Sequence, residues 1–188
     1  PISGDNTVST TVSVAGTYTV TVTAANGCTD TDEVVVTQDI VAPVAAINTS
    51  TTTLTCATTT ISLTATGGGT YAWDDSSTAA PRTVSAAGTY TVTVTGANDG
   101  TATATVTVTQ NITLPTAGIT NTDGPLTCLL LNAKLSATGG GTYLWNTTET
   151  AQDIFVTTGG TYTVTVTGAN GCTATATTVV TTNYVVAA

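Results

Sequence analysis

The string GTYTVTV stands at Gly16 to Val22, again at Gly88 to Val94 and again at Gly160 to Val166, a spacing of 72 residues each time. Other landmarks keep that offset. Leu54-Thr55-Cys56 returns as Leu126-Thr127-Cys128, the run from Ala65 to Tyr71 returns from Ala137 to Tyr143, and Trp73 returns as Trp145. Chance does not produce such a register. A period of 72 is too long for the coils of a solenoid and fits a row of small, independently packed units.

Within one unit, apolar side chains alternate with threonine, as Tyr90, Val92 and Val94 do with Thr89, Thr91 and Thr93. A period of two is that of a half-buried strand. The second repeat predicts strands near Val44 to Ile47, Ile61 to Thr66, Thr70 to Trp73, Arg82 to Ser85, Tyr90 to Thr95 and Ala102 to Thr109. Asn26-Gly27, Asn98-Asp99-Gly100 and Asn170-Gly171 supply hairpin turns, where Asn and Gly tolerate positive φ. No segment has a helical period, so the class is all-β, with six or seven short strands per unit forming a sandwich. Two features narrow it to an immunoglobulin-like (Ig-like) sandwich. Trp73 falls on the strand after a Gly-rich turn, the place of the strand C tryptophan. Gly88, Tyr90 and Val92 form a Gly-x-Tyr-x-Val pattern like the tyrosine corner, with Val where antibody domains have Cys. The predicted core is therefore Leu63, Trp73, Tyr90 and Val92 in one unit and Leu135, Trp145, Tyr162 and Val164 in the next.

Composition then removes most chemistry. Threonine accounts for 54 of 188 residues, charged residues for only 7%, and there is no His, one Lys and one Arg. Hydrolase triads, histidine-held metals and phosphate clamps lack their usual parts. A net charge of -9 argues against nucleic acid, whose phosphates need bases. No run approaches the roughly 18 to 20 apolar residues of a membrane helix, so membrane insertion is not expected. No basic and apolar leader opens the sequence; a signal peptide, where one is used, is expected to have been removed.

The set LTC, ATGGGTYxW, GTYTVTVT and NGC, followed by TATATVTVTQ, resembles the tandem Ig-like or PKD-like repeats of very large Bacteroidota surface proteins. These include the gliding-motility adhesins exported by the type IX system. The resemblance covers the whole chain and implies an extracellular, cell-surface fibre or stalk without catalytic residues. One departure is Gly100, which stands where the pattern has Cys.

Pro43, Pro115 and Ala187 share one position, each after a short apolar connection: Ile40-Val41-Ala42, Ile112-Thr113-Leu114 and Tyr184-Val185-Val186. Residues 43–114 then form one complete module and 115–188 a second with its C-terminal linker, while 1–42 match only the part of a module from Trp73 onward. The strands missing from 1–42 are expected from a longer polypeptide or a neighbouring subunit. Side chains such as Ile112 and Leu114 are expected to pack across the joints and stiffen them.

Four cysteines without a CxxC pair suit disulfides in an oxidising compartment. Pairing Cys128 with Cys172 inside one module leaves Cys56 alone, because its counterpart is Gly100. In a sandwich of this type the A–B and F–G turns lie at opposite poles, about 20 Å apart, whereas a disulfide needs Cα atoms within about 7 Å. Stacked head to tail, Cys56 can reach Cys172 across a joint. Cys28 then pairs with a preceding module and Cys128 with a following one. Pairing within the last module is the rival.

Remaining candidates are weaker. Asp30 and Asp32 share a strand face and, with Glu33 and Asp39, could ligate calcium, which takes six to eight oxygens. A solvated face is the plainer account, and no other cofactor is indicated. Asp74-Asp75 is a second such candidate. Rows of threonine at 17, 19, 21 and 23 and from 101 to 109 suit an exposed strand, or a water-ordering or glycosylated array. Lys134 falls on a polar face, against an isopeptide bond, and Asn48, Asn111 and Asn146 open sequons. The reading that results is a structural segment whose partner is itself, end to end. The alternative is a carbohydrate-binding module gripping surface or environmental glycans, for which Tyr184 is the one Trp or Tyr outside the core pattern.

Overall fold

The computed structural model describes residues 9–184, and among them every regular element is a β-strand. The linker residues Val185-Val186 and position Ala187 lie outside the described residues, as do residues 1–8. The first repeat contributes β1 (Gly16–Thr23) and β2 (Thr29–Val36). The second contributes β3 (Ala46–Asn48), β4 (Thr53–Thr55), β5 (Ile61–Thr66), β6 (Thr70–Trp73), β7 (Arg82–Val84), β8 (Gly88–Thr95) and β9 (Thr101–Asn111). The third contributes β10 (Gly118–Asn121), β11 (Leu126–Thr127), β12 (Ala133–Thr138), β13 (Thr142–Trp145), β14 (Asp153–Val156), β15 (Gly160–Thr167), β16 (Thr173–Val180) and β17 (Thr182–Asn183).

In the second repeat one sheet has the order β3-β5-β7 and the other β4-β9-β8-β6; in the third, β10-β12-β14 stands with β13-β15-β16. The result is an all-β chain of small repeating sheets in a tandem sandwich-like arrangement. Alternation explains the packing. Along β5, Ile61, Leu63 and Ala65 are buried while Ser62 and Thr64 face solvent, and they meet Trp73, Val84, Val92 and Val108 from the neighbouring strands in one apolar cluster. The corresponding cluster of the third repeat holds Leu135, Trp145, Tyr162, Val164 and Val180. Trp73 is 3% exposed, Trp145 2%, Tyr162 6%, and Val92 and Val164 0%, while Tyr90 is half-buried at the margin. Each fully buried side chain of this size contributes roughly 1.5–3 kcal/mol.

Two features depart from the sequence expectation. Leu54 and Leu126 sit on short strands not predicted by alternation, and both belong to the cores. β4 runs parallel to the end of β9, Leu54 opposite Gln110, and β11 runs parallel to β17. Segments of three and two residues are too short to show a period. The apolar linkers are the second departure: Ile40, Val41, Ile112 and Leu114 are 75%, 76%, 53% and 63% exposed, so they do not pack across the joints. Hydrogen bonds to the linker backbone do that work instead.

Candidate functional site

The chemistry of this chain is concentrated where one repeat meets the next. The β15–β16 turn of the third repeat reaches back to the loop after β4 of the second, and Cys172 is bonded there to Cys56 with a Cα–Cα distance of 4.9 Å. Beside the bond, the Ala57 N–H donates to the Asn170 carbonyl at 3.3 Å. Gly171 has φ +75°, and a Cβ there would lie 2.6 Å from the Ala57 Cβ, so only glycine lets the two loops approach. Cys172 is 1% exposed, sealed inside the contact.

Asn170 completes the joint. Its Oδ1 accepts from the Cys172 N–H at 3.1 Å, which sets the turn, and its Nδ2 donates to the Thr113 carbonyl at 2.9 Å and to Asn111 Oδ1 at 3.1 Å. The amide thus shapes the turn with one end and grips the linker with the other. Asn98 does the same one repeat earlier, taking the Gly100 N–H on Oδ1 at 3.0 Å and donating to the Val41 and Asp39 carbonyls at 2.9 and 3.3 Å. With Gly at 100, that joint relies on hydrogen bonds where the next has a disulfide. Asn98 and Asn170 went unmarked as functional in the sequence because Asn-Gly reads as turn chemistry. The signal available was the threefold recurrence of Asn at 26, 98 and 170.

In the first hairpin Asn26 Oδ1 again takes the Cys28 N–H, at 3.1 Å. Cys28 and Cys128 are both unbonded and exposed. The tyrosine pattern has one geometry in all three repeats: the hydroxyls of Tyr18, Tyr90 and Tyr162 each donate to the carbonyl four residues upstream, Val14, Ala86 and Thr158, at 2.8 Å.

Asp74 and Asp75, weighed for calcium, are engaged by Arg82. Its guanidinium bonds Asp74 through one nitrogen and Asp75 through the other at 2.9 Å, and it lies over the rings of Trp73 and Tyr90 at 5.4 and 4.9 Å. Arg82 was not singled out by the sequence. Asp30 and Asp32 are exposed on β2, where each takes the next residue's N–H, and no group of three or more metal-ligating side chains occurs among the described residues. Lys134 pairs with Asp153 at 2.7 Å on the surface. Asn146, in a sequon, donates to the Thr161 carbonyl and accepts from the Thr163 N–H. Threonines face each other across the β8–β9 and β15–β16 ladders, Thr163 and Thr177 hydroxyls 3.1 Å apart. Tyr184 and Phe155 are exposed aromatics, but no cluster of rings forms a sugar-stacking platform among the described residues.

No family model matches this chain, and no curated protein matches it. Among solved structures it is similar to a protein described as a Ca2+-stabilized adhesin that helps an Antarctic bacterium reach out and bind ice. The identity is 17% and the TM-score 0.51, over 89% of this chain and 56% of that one. This chain therefore spans little more than half that protein's length. At such identity the likeness is one of fold, a tandem all-β array. No helix among the described residues is long and apolar enough to cross a membrane.

Proposed function

We propose that the chain is a non-catalytic structural segment of an extracellular filament or stalk belonging to a bacterial surface adhesin. On this reading its units are Ig-like modules of 72 residues, joined at Pro43 and Pro115, with residues 1–42 the C-terminal part of a third. The observation that carries it is the Cys56–Cys172 bond, which ties two successive repeats to each other while neither cysteine belongs to the apolar cluster of its repeat. A covalent brace between repeats resists their separation under tension, which suits a rod. The arrangement extends by repetition, Cys28 bonding a preceding module and Cys128 a following one, so that partners are further modules, end to end.

The sequence motifs support a Bacteroidota source and type IX export, and the fold likeness to an adhesin supports a cell-surface, extracellular setting. Ice binding and calcium are properties of that other protein. Here the threonine rows lie on twisted strands and hydrogen-bond to one another, which favours a solvated surface.

The test is shape. Small-angle scattering and negative-stain microscopy of the oxidised chain are expected to show a rod with repeats in a row. A compact globular particle overturns the proposal.

A further inference from the structure

The Cys56–Cys172 bond joins residues 116 positions apart in the sequence, with their Cα atoms 4.9 Å from each other. Two covalent routes therefore lead from one cysteine to the other. One is the main chain through residues 57–171, and the other is the short crossing through the two sulfurs. A pull along the chain is carried by the shorter route, and the longer one hangs slack.

What lies on each route decides what tension reaches. Before Cys56 the taut route takes β3, bonded to β5 in one sheet, and β4, bonded to β9 in the other. After Cys172 it takes β16, an eight-residue strand alongside β15. A strand already rises about 3.3 Å per residue, close to the reach of a fully stretched chain, so β16 has almost no length to release. The buried residues of the two apolar clusters all lie on the slack route except Leu54 and Val180. So does the clamp of Asn170 on Asn111 and Thr113, at both its ends.

Resting on the proposed role as a segment of a stalk, we propose that this bond is a tension bypass. Force crosses the second repeat along β3 and β4, passes through the sulfurs, and crosses the third repeat along β16. Both apolar cores ride on that line without being pulled open. Without the bond the same pull runs through residues 57–171, and each core unravels in turn. The bond thus sets how far the segment lengthens under load.

The experiment stretches the full chain, held by peptide tags at its two ends, in a single-molecule force instrument. It is run on the oxidised chain, on the same chain reduced with a dithiol, and on Cys56→Ser. The fully stretched length of the reduced chain and of Cys56→Ser is expected to exceed that of the oxidised chain by about 400 Å, the reach of the freed residues at about 3.5 Å each. The β1–β2 hairpin opens in all three and drops out of the comparison. Releases as long as a whole repeat, about 250 Å, are expected only without the bond. Equal stretched lengths before and after reduction, or a release of that size in the oxidised chain, overturn the bypass, and a rod in scattering then leaves the stalk reading standing. A compact particle in scattering overturns that reading and the inference with it, whatever the stretched lengths.

Discussion

Asn98 donates from Nδ2 to the Val41 carbonyl at 2.9 Å, and Asn170 makes the same contact with Thr113 at 2.9 Å, so one side chain per repeat holds the linker that precedes its module. Only the second of these joints also has a disulfide. Asn98→Ala should therefore loosen its joint more than Asn170→Ala loosens the other. Each loses hydrogen bonds worth about 0.5–1.5 kcal/mol apiece. Scattering curves recorded on both variants check this: a larger loss of persistence for Asn98→Ala is expected, equal losses would mean that the disulfide does not brace the second joint, and no loss in either would mean that the amides do not hold the joints.

Cys56→Ser leaves Cys172 in a sealed contact without its bond. The apolar clusters of the two repeats do not include either sulfur, so cores should survive while coupling between repeats falls. A bridge of this kind is worth about 2–4 kcal/mol. Denaturant unfolding is expected to change from one coupled transition to two earlier ones, and reduction of the unmodified chain should reproduce the change.

How far the sequence could be read depends on where its signal lies. Strands such as β5 and β8 were legible because Ile61, Leu63 and Ala65, or Val92 and Val94, alternate with polar residues over six or more positions. β4 and β11 were not, since Leu54 stands alone among threonines and Leu126 lies in a strand of only two residues, so neither shows an alternation. The apolar linkers misled for a related reason: Ile112 and Leu114 read as buried contacts, but a segment gripped through its carbonyls leaves its side chains outside. Asn170 as a clamp was hidden inside turn chemistry. Arg82 was hidden by composition, because a single arginine makes no pattern, although the only arginine in a chain with 11 acidic residues is worth asking about.

Arg82 covers Trp73 and Tyr90 with its guanidinium plane and answers two carboxylates, its own side chain being 14% exposed. Arg82→Met keeps the stem and removes the charge. The carboxylates are nearly half exposed, which screens the pairs, so the stacking and partial burial should dominate a loss of about 1–2 kcal/mol. Thermal unfolding checks it. A loss that persists undiminished at 1 M salt is expected for the stacking share, and complete disappearance would assign the whole effect to ion pairing.

The Lys134 ammonium and the Ser136 hydroxyl, both hydrogen-bonded to the Asp153 carboxylate, hold that carboxyl below the usual value of 3.8. A lowered folded pKa means that the unfolded chain binds the proton more tightly. The contribution is present above pH 3.8, and it is lost as the pH falls through the lowered value. Asp153→Asn should accordingly be less stable than the parent chain at pH 7, and the difference should shrink as the pH falls below 3.8. Urea midpoints for the two proteins across that range make the comparison, and a constant difference at all pH values would contradict it.

Thr148 closes the turn after β13 with φ at 76°, where its N–H donates to the Trp145 carbonyl at 2.9 Å. The left-handed region is costly for a β-branched side chain. The same place in the second repeat is Ser76, at φ 65°, an unbranched residue that tolerates it better. Thr148→Asn keeps the backbone hydrogen bond and relieves the crowding, because Asn enters this region readily. It should raise stability by about 0.5–1 kcal/mol. Thr147→Asn, beside it and without positive φ, serves as the control for threonine loss. A shift of the urea midpoint upward in Thr148→Asn alone is expected; no shift, or one shared by both variants, would show that the turn stores no strain at this residue.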